Sequence, residues 1–255
     1  MPHRRRPLLI LLLATLVLMA TSARPNNVLR VGNFSGSDPA ERTPPSWEPL
    51  SFQDIDNRTQ YRLVRADSTV VMQATSDGGA SGLVTRRRID PMHYPIVEWR
   101  WKVNRVLDQG DATKRSGDDY PARLYITFDY DGLGLGGRLR LQALKLLGYD
   151  DIPTRALNYI WASTVERGRI LPNPYTDWVM MVPVQSGSAR VGQWVHERRN
   201  IVADYRAAFG EDPPPINGVA IMTDTDNTGE SATAYYGDIV FKRDADTSST
   251  PASTS

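Results

Sequence analysis

A chain of 255 residues without a single cysteine has no disulfide framework, so its stability has to come from a core that this length can supply. Lys and Arg number 30 against 29 Asp and Glu. Removing Arg4, Arg5 and Arg6, which belong to the N-terminal segment described next, leaves 27 basic residues and a formal charge of −2, which excludes a basic nucleic-acid footprint.

The chain opens MPHRRRPLLILLLATLVLMATSA. Three arginines, an apolar run from Pro7 to Ala20 and small residues at Thr21 and Ala23 read as a secretory signal peptide spanning 1–23. The apolar run is short for a membrane helix, which needs roughly 20 residues. No second such run follows, so a mature, exported protein (periplasmic or secreted) with no membrane span is expected. Without cysteine, a lipid-modified N-terminal cysteine is excluded.

Residues 24–243 read as one domain built mainly of strands. VLRVGNF is the first candidate. TQYRLV alternates, with Tyr61 and Leu63 opposite Arg62 and Val64. STVVMQATS follows and ends at the flexible DGGASG. The clearest alternation is VEWRWKV: Val97, Trp99, Trp101 and Val103 share one face, Glu98, Arg100 and Lys102 the other. Period two over such a run predicts a half-buried strand. ARLYITFDY repeats it, with Leu124, Ile126 and Phe128 inward and Arg123, Tyr125 and Asp129 outward. NYIWAS, DWVMMVPV, WVHERRNIV, INGVAIMT and ATAYYGDIVFK are further strands. Two short helices are expected: 137–148, stopped by Gly148, and 203–215, stopped by Gly210 and a proline run. Neither alternates regularly with strands, which argues against βαβ units. The tail 244–255 is Ser/Thr-rich and reads as disordered.

The predicted architecture is therefore an all-β antiparallel sandwich of jelly-roll type with two short helices. Trp99, Trp101, Trp161 and Trp178 read as core, and Trp47, in a loop, as the freer ring.

The chemistry-bearing residues cluster in a few segments. Zinc is unsupported, because only His93 and His196 remain beyond the signal segment and there is no Cys. GASG at 79–82 is not a nucleophile elbow, and GLGLGG at 132–137 lacks the Lys-Ser/Thr pair of a phosphate loop. DTDNTGE at 224–230 has the spacing of half a calcium loop but fails at Thr228, where an EF-hand needs an acid or an amide, and at Tyr235, where it needs a bidentate Glu. No metal or cofactor is expected from spacing; calcium held by Asp224, Asp226 and a carbonyl stays open as an alternative.

Five separated motifs occur in order: WRWKV, GDDYPARLYITF, NYIWAS, HERRNIVADYRAAFG and IMTDTDNTGESATAYYGDI. Over roughly residues 28–243 they resemble an uncharacterised family of exported bacterial proteins known only as a domain of unknown function. The resemblance implies a single β-rich domain and no particular activity. A looser similarity to galactose-binding-like sandwiches encourages the jelly-roll assignment.

The functional expectation is a ligand-binding protein that recognises carbohydrate or cell-envelope glycan on a polar sheet face. Sugars present many hydroxyls to donors and acceptors and apolar faces to aromatic rings. Arg100, Arg123 and Arg198 would donate; Glu98, Asp118 and Asp119 would accept. Glu197, Asp224 and Asp226 complete the polar set, and Tyr125 would stack or donate. The alternatives are a carboxylate-dependent enzyme acting on polysaccharide, which needs two carboxyls facing each other about 5 to 10 Å apart, and a structural envelope component. Asp224 or Asp226 is expected to pair with Arg198 or Arg199.

Overall fold

The computed structural model describes residues 27–41, 43–137, 139, 142 and 154–244. The expected signal segment and the tail from residue 245 lie outside the described residues, as does most of the helix expected over 137–148. Residues 135–137, 139 and 142 of that region are helical.

Alternating sequences become two facing sheets. The first contains β1 (Val28–Gly32), β3 (Gln60–Ala66), β4 (Thr69–Asp77), β6 (Ile96–Val103), β11 (Val195–Asn200), β13 (Ser231–Tyr236) and β14 (Ile239–Lys242). The second runs β2 (Glu48–Leu50), β5 (Ala80–Ile89), β12 (Ile216–Asp224), β7 (Arg123–Phe128), β8 (Arg155–Ala162), β10 (Thr176–Ser186) and β9 (Leu171–Asn173). The chain crosses between sheets at β1–β2, β2–β3, β4–β5, β5–β6, β6–β7, β10–β11, β11–β12 and β12–β13, giving a sandwich of jelly-roll type. The β8–β10 pair is parallel, unlike the rest. The intervening chain includes β9, which pairs antiparallel with β10 at the sheet edge.

β6 lies inside the first sheet. β11 pairs along one of its edges, while β13 and β14 share the other. Its inward residues Val97, Trp99, Trp101 and Val103 are buried, as the alternation predicts. Trp99 meets Trp101 edge-on at 5.3 Å and Tyr159 of the opposite sheet at 5.3 Å; Trp101 lies 6.2 Å from Trp161. These rings bridge the two sheets and fill the centre of the core.

A second, smaller apolar cluster is on the outer face of the second sheet. Ile160, Val179 and Met181 project there and are covered by Ala112 and Tyr120 of the β6–β7 connection. Part of the second sheet is therefore buried on both faces, whereas the outer face of β6 is not covered in this way.

The helix Ile201–Phe209 begins directly after β11. Asn200 caps it by accepting from the Ala203 amide at 3.0 Å, and Gly210, with φ +76°, ends it. It is shorter than the expected 203–215 because the left-handed turn at Gly210 stops it before the prolines. Two tryptophans depart from expectation. Trp47 is buried, packed on Phe34 at 5.4 Å, because the turn before β2 folds back onto the short turn after β1. Trp178 is only half-buried, near the edge of its sheet.

Trp101→Ala removes a fully buried ring from the middle of the bridge and is expected to cost about 3–5 kcal/mol. Urea denaturation followed by tryptophan fluorescence measures it; a loss below about 1 kcal/mol would mean that the ring bridge does not carry the core.

Candidate functional site

The ten residues expected to form one polar face divide among three places. Alternation sets which face of a strand is polar, but it does not say which sheet the strand joins.

Asp118, Asp119, Arg123, Tyr125, Asp224 and Asp226 gather on the outer face of the second sheet. Arg123 on β7 and Asp224 at the end of β12 project to the same side of neighbouring antiparallel strands. The Arg123 guanidinium grips Asp224 with two donors: Nε to Oδ1 at 2.7 Å, and Nη2 to Oδ2. Nη2 also donates to the Asp118 carbonyl, and Nη1 donates to the Tyr125 hydroxyl at 3.0 Å. The Tyr120 ring lies under the guanidinium at 4.3 Å. Arg123 and Asp224 are 3% and 2% exposed, so neither is open to a large ligand.

The two flanking acids are also engaged. Asp119 accepts from the Thr228 amide at 2.7 Å, the Thr228 hydroxyl at 2.8 Å and Asn227 Nδ2 at 3.0 Å. It thereby ties the GDDY segment to the DTDNTGE turn, which is a connection between β12 and β13 with Gly229 at φ +69°. Asp118 accepts from Asn173 Nδ2 at 2.8 Å through Oδ2, while its Oδ1 lies 3.8 Å from Arg123 Nη1, outside hydrogen-bond reach.

The expected pairing of Asp224 or Asp226 with Arg198 or Arg199 is not found: Asp224 takes Arg123, Arg198 faces Glu98 at 3.4 Å, and Arg199 holds Asp204. One oxygen each from Asp119, Asp224 and Asp226 falls within 4.8 Å of the others, a spacing a cation could bridge. Here the guanidinium supplies the positive charge to Asp224, and amide and hydroxyl donors hold Asp119. Nor is this an acid pair across an open cleft, since Asp119 and Asp224 are sealed from solvent.

Burial raises the pKa of Asp118, Asp224 and Asp226 above the ordinary carboxylate range. Arg123 opposes the shift at all three, and the acidic neighbours add to it. With several carboxylates around one guanidinium, the cluster acts as a hub that ties strands together at an electrostatic cost.

Glu197 belongs to neither polar face. It points between the sheets from β11, is buried, and accepts from Gln185 Nε2 at 2.7 Å. Burial raises its pKa as well.

Glu98, Arg100 and Arg198 stand on the outer face of the first sheet. Together with His196 and Asp238 they line a groove of about 420 Å³. Arg100 is directly opposite His196, and Glu98 opposite Arg198, across the β6–β11 pair. Alongside runs a row that the sequence reading did not assemble. Arg62, Gln73, Tyr235 and Lys102 occupy paired positions on β3, β4, β13 and β6. Arg62 Nε donates to Gln73 at 2.6 Å, and Gln73 Nε2 to the Tyr235 hydroxyl at 3.0 Å. Lys102 Nζ lies 4.9 Å from the Tyr235 ring and 5.0 Å from the ring of Trp194. Trp194 stands just before β11 and donates to Asp67 at 2.5 Å. Tyr235 and Trp194 are half-buried. The outward positions of Gln73 and Tyr235 were available from alternation; their adjacency needs the strand order.

Residues 45–240 match the family described as protein of unknown function DUF3047. The chain belongs to that family. No curated protein matches this DUF3047 chain. Among solved structures it is similar to a point mutant of the family 29 carbohydrate-binding module CBM29-2 complexed with cellulohexaose, at 8% identity over 85% of this chain and 92% of that chain, with a TM-score of 0.35. A second CBM29-2 mutant, complexed with mannohexaose, gives 9% identity over 80% and 97% of the two chains, with a TM-score of 0.31. Likeness at this level adds nothing to what the DUF3047 chain itself shows. Among the described residues, no helix is long and apolar enough to cross a membrane.

Two outcomes follow from the buried hub. Arg123→Ala leaves Asp224 buried without its partner and is expected to cost about 3–5 kcal/mol in chemical denaturation. The pH dependence has a definite sign. A carboxyl whose pKa is raised on folding binds its proton more tightly in the folded state, so its contribution is most favourable below the unfolded value and is lost as pH rises through the folded one. Stability should therefore fall from the ordinary carboxylate range toward neutral pH. Asp118→Asn, which keeps an acceptor for Asn173, should flatten that fall; an unchanged slope in denaturation midpoints across the range would show that Asp118 does not contribute to it.

Proposed function

We propose that this DUF3047 protein is exported and recognises a polysaccharide or cell-envelope glycan on the outer face of its first sheet. The observation that carries this reading is the row Arg62, Gln73, Tyr235, Lys102 and Trp194 running beside the groove of Glu98, Arg100 and Arg198. Half-buried aromatic rings next to planar polar groups suit a sugar chain. The rings take its C–H faces, and the arginines, Gln73 and Glu98 exchange hydrogen bonds with its hydroxyls. An open groove also suits a polymer, whose chain has to continue past the protein at both ends. The buried hub of the other sheet has a supporting role in this reading, since its arginine and acids serve one another.

A glycan array followed by calorimetry tests the proposal. Trp194→Ala should weaken binding of the selected glycan about tenfold or more, equivalent to about 1.4 kcal/mol, while unfolding stability changes by less than about 1 kcal/mol. Binding of no glycan at all, or undiminished binding by Trp194→Ala, would overturn it. For export, mass spectrometry of the periplasmic or secreted fraction should find a chain beginning near residue 24; a cell-associated protein retaining residues 1–23 would exclude cleavage.

A further inference from the structure

Most charges on the outer face of the first sheet have an opposite charge within reach. Glu98 faces Lys242 and, at 3.4 Å, Arg198. Asp238 accepts from the Ser35 amide at 2.8 Å and its hydroxyl at 2.6 Å, and lies 3.6 Å from Arg30. Lys102 is 3.9 Å from Asp67.

Arg100 differs. Its guanidinium lies over the Trp194 ring, 4.5 Å from the centroid, and among the described residues its side chain makes no ion pair and no hydrogen bond. A cation–π contact with a ring does not use the N–H donors of a guanidinium, so those of Arg100 are left to meet a ligand. Opposite it on β11, His196 is exposed and likewise forms no ion pair among the described residues.

The seat of Arg100 is specific. Between β13 and β14 the chain interrupts its pairing with β6, and there the Gly237 amide donates to the Arg100 carbonyl at 2.8 Å. The Arg100 side chain crosses directly over this glycine. A β-carbon on Gly237 would stand 2.6 Å from Arg100 Cγ and 2.7 Å from Nε. Bare backbone at the interruption is therefore what lets Arg100 lie where it does, between Gly237 and the indole.

A stacked guanidinium with unused donors, in a groove whose acids already face other cations, matches a planar anion with two oxygens. We propose that Arg100, with His196 beside it, binds the carboxylate of an acidic sugar, so that the ligand is a uronate-bearing glycan. This inference rests on the glycan reading above and names its ligand class. The neutral parts of the chain would lie along Trp194 and Tyr235, and the carboxylate would enter the groove.

The test is calorimetry on the purified protein with three probes: oligogalacturonate, the same oligomer fully methyl-esterified, and a neutral cello-oligosaccharide. The acid should bind about tenfold or more tightly than its ester, in line with a charge-assisted pair replacing an uncharged contact. Arg100→Ala should abolish that preference and leave the acid binding like the ester. Arg100→Lys, which keeps the charge but loses the planar fork, should restore only part of it. Gly237→Ala should reproduce the effect of Arg100→Ala, with circular dichroism confirming an intact sheet fold. Equal affinity for acid and ester, or a preference that survives Arg100→Ala, would overturn the uronate assignment and leave the glycan reading standing. Failure of all three probes together with a blank glycan array would instead remove the glycan reading, and this inference with it.

Discussion

Strand β6 has neighbours on both edges, and its register is the constraint on which the rest depends. Its inward residues Val97, Trp99, Trp101 and Val103 build the ring bridge to the opposite sheet, and its outward residues Glu98, Arg100 and Lys102 build the groove and the row beside it. Because side chains alternate, a slip of one residue would exchange the two sets. The penalty would include two indoles exposed to water and three charges placed between the sheets, far larger than any gain from new surface contacts. The strong apolar preference of one face thus fixes the polar face as a by-product. The groove can carry charges that do little for stability because the rings behind them hold the strand.

How much of this was legible in the sequence depended on the range of the interactions involved. VEWRWKV and ARLYITF announce their own alternation, and both became strands with the expected faces. The turn nature of DTDNTGE was also legible, since it lies between two strand patterns. Strand order was not. Arg100 and Arg123 look alike in sequence, each outward on a clear strand, yet one lies in an open groove and the other is 3% exposed. The difference comes from the β6–β7 connection, whose Ala112 and Tyr120 cover the second sheet. No local pattern states what a connection folds over. For the same reason Trp47, in a loop, reads as free in the sequence but is buried on Phe34, and Asp224 does not pair with the arginines of HERRN: its partner across the β12–β7 ladder is an arginine about a hundred residues away in sequence.

The two polar faces illustrate opposite uses of the same residue types. On the second sheet, Arg123 is surrounded by acceptors, so removing any member leaves an unpaired buried group; the interaction ties segments distant in sequence to one another. Asp119 extends that tie to Thr228 and fixes the turn leading into β13. This matters for the first sheet, because β13 carries Tyr235 and is followed directly by the interruption at Gly237. The hub thus contributes to the ligand face by holding the chain that delivers it, with no need for any of its acids to meet a ligand.

On the first sheet the relevant distinction is between charges that already face a partner and Arg100, whose side chain makes no ion pair and no hydrogen bond among the described residues. Surface pairs such as Glu98 with Arg198 are worth little in water and are readily exchanged for other partners. A guanidinium held over an indole, with Gly237 close against its stem, has already lost much of its side-chain freedom. An incoming carboxylate then meets donors already fixed in direction and does not have to order a flexible arm. Lysine in the same place would keep the charge but lack the flat surface that stacks and the fork that orients. The glycine beneath adds a steric condition, since any side chain at 237 would push the arginine out of its seat. An arginine stacked above, a glycine below and an interruption in strand pairing that lets them meet together make a preorganised anion contact, and this separates Arg100 from the other arginines of the surface.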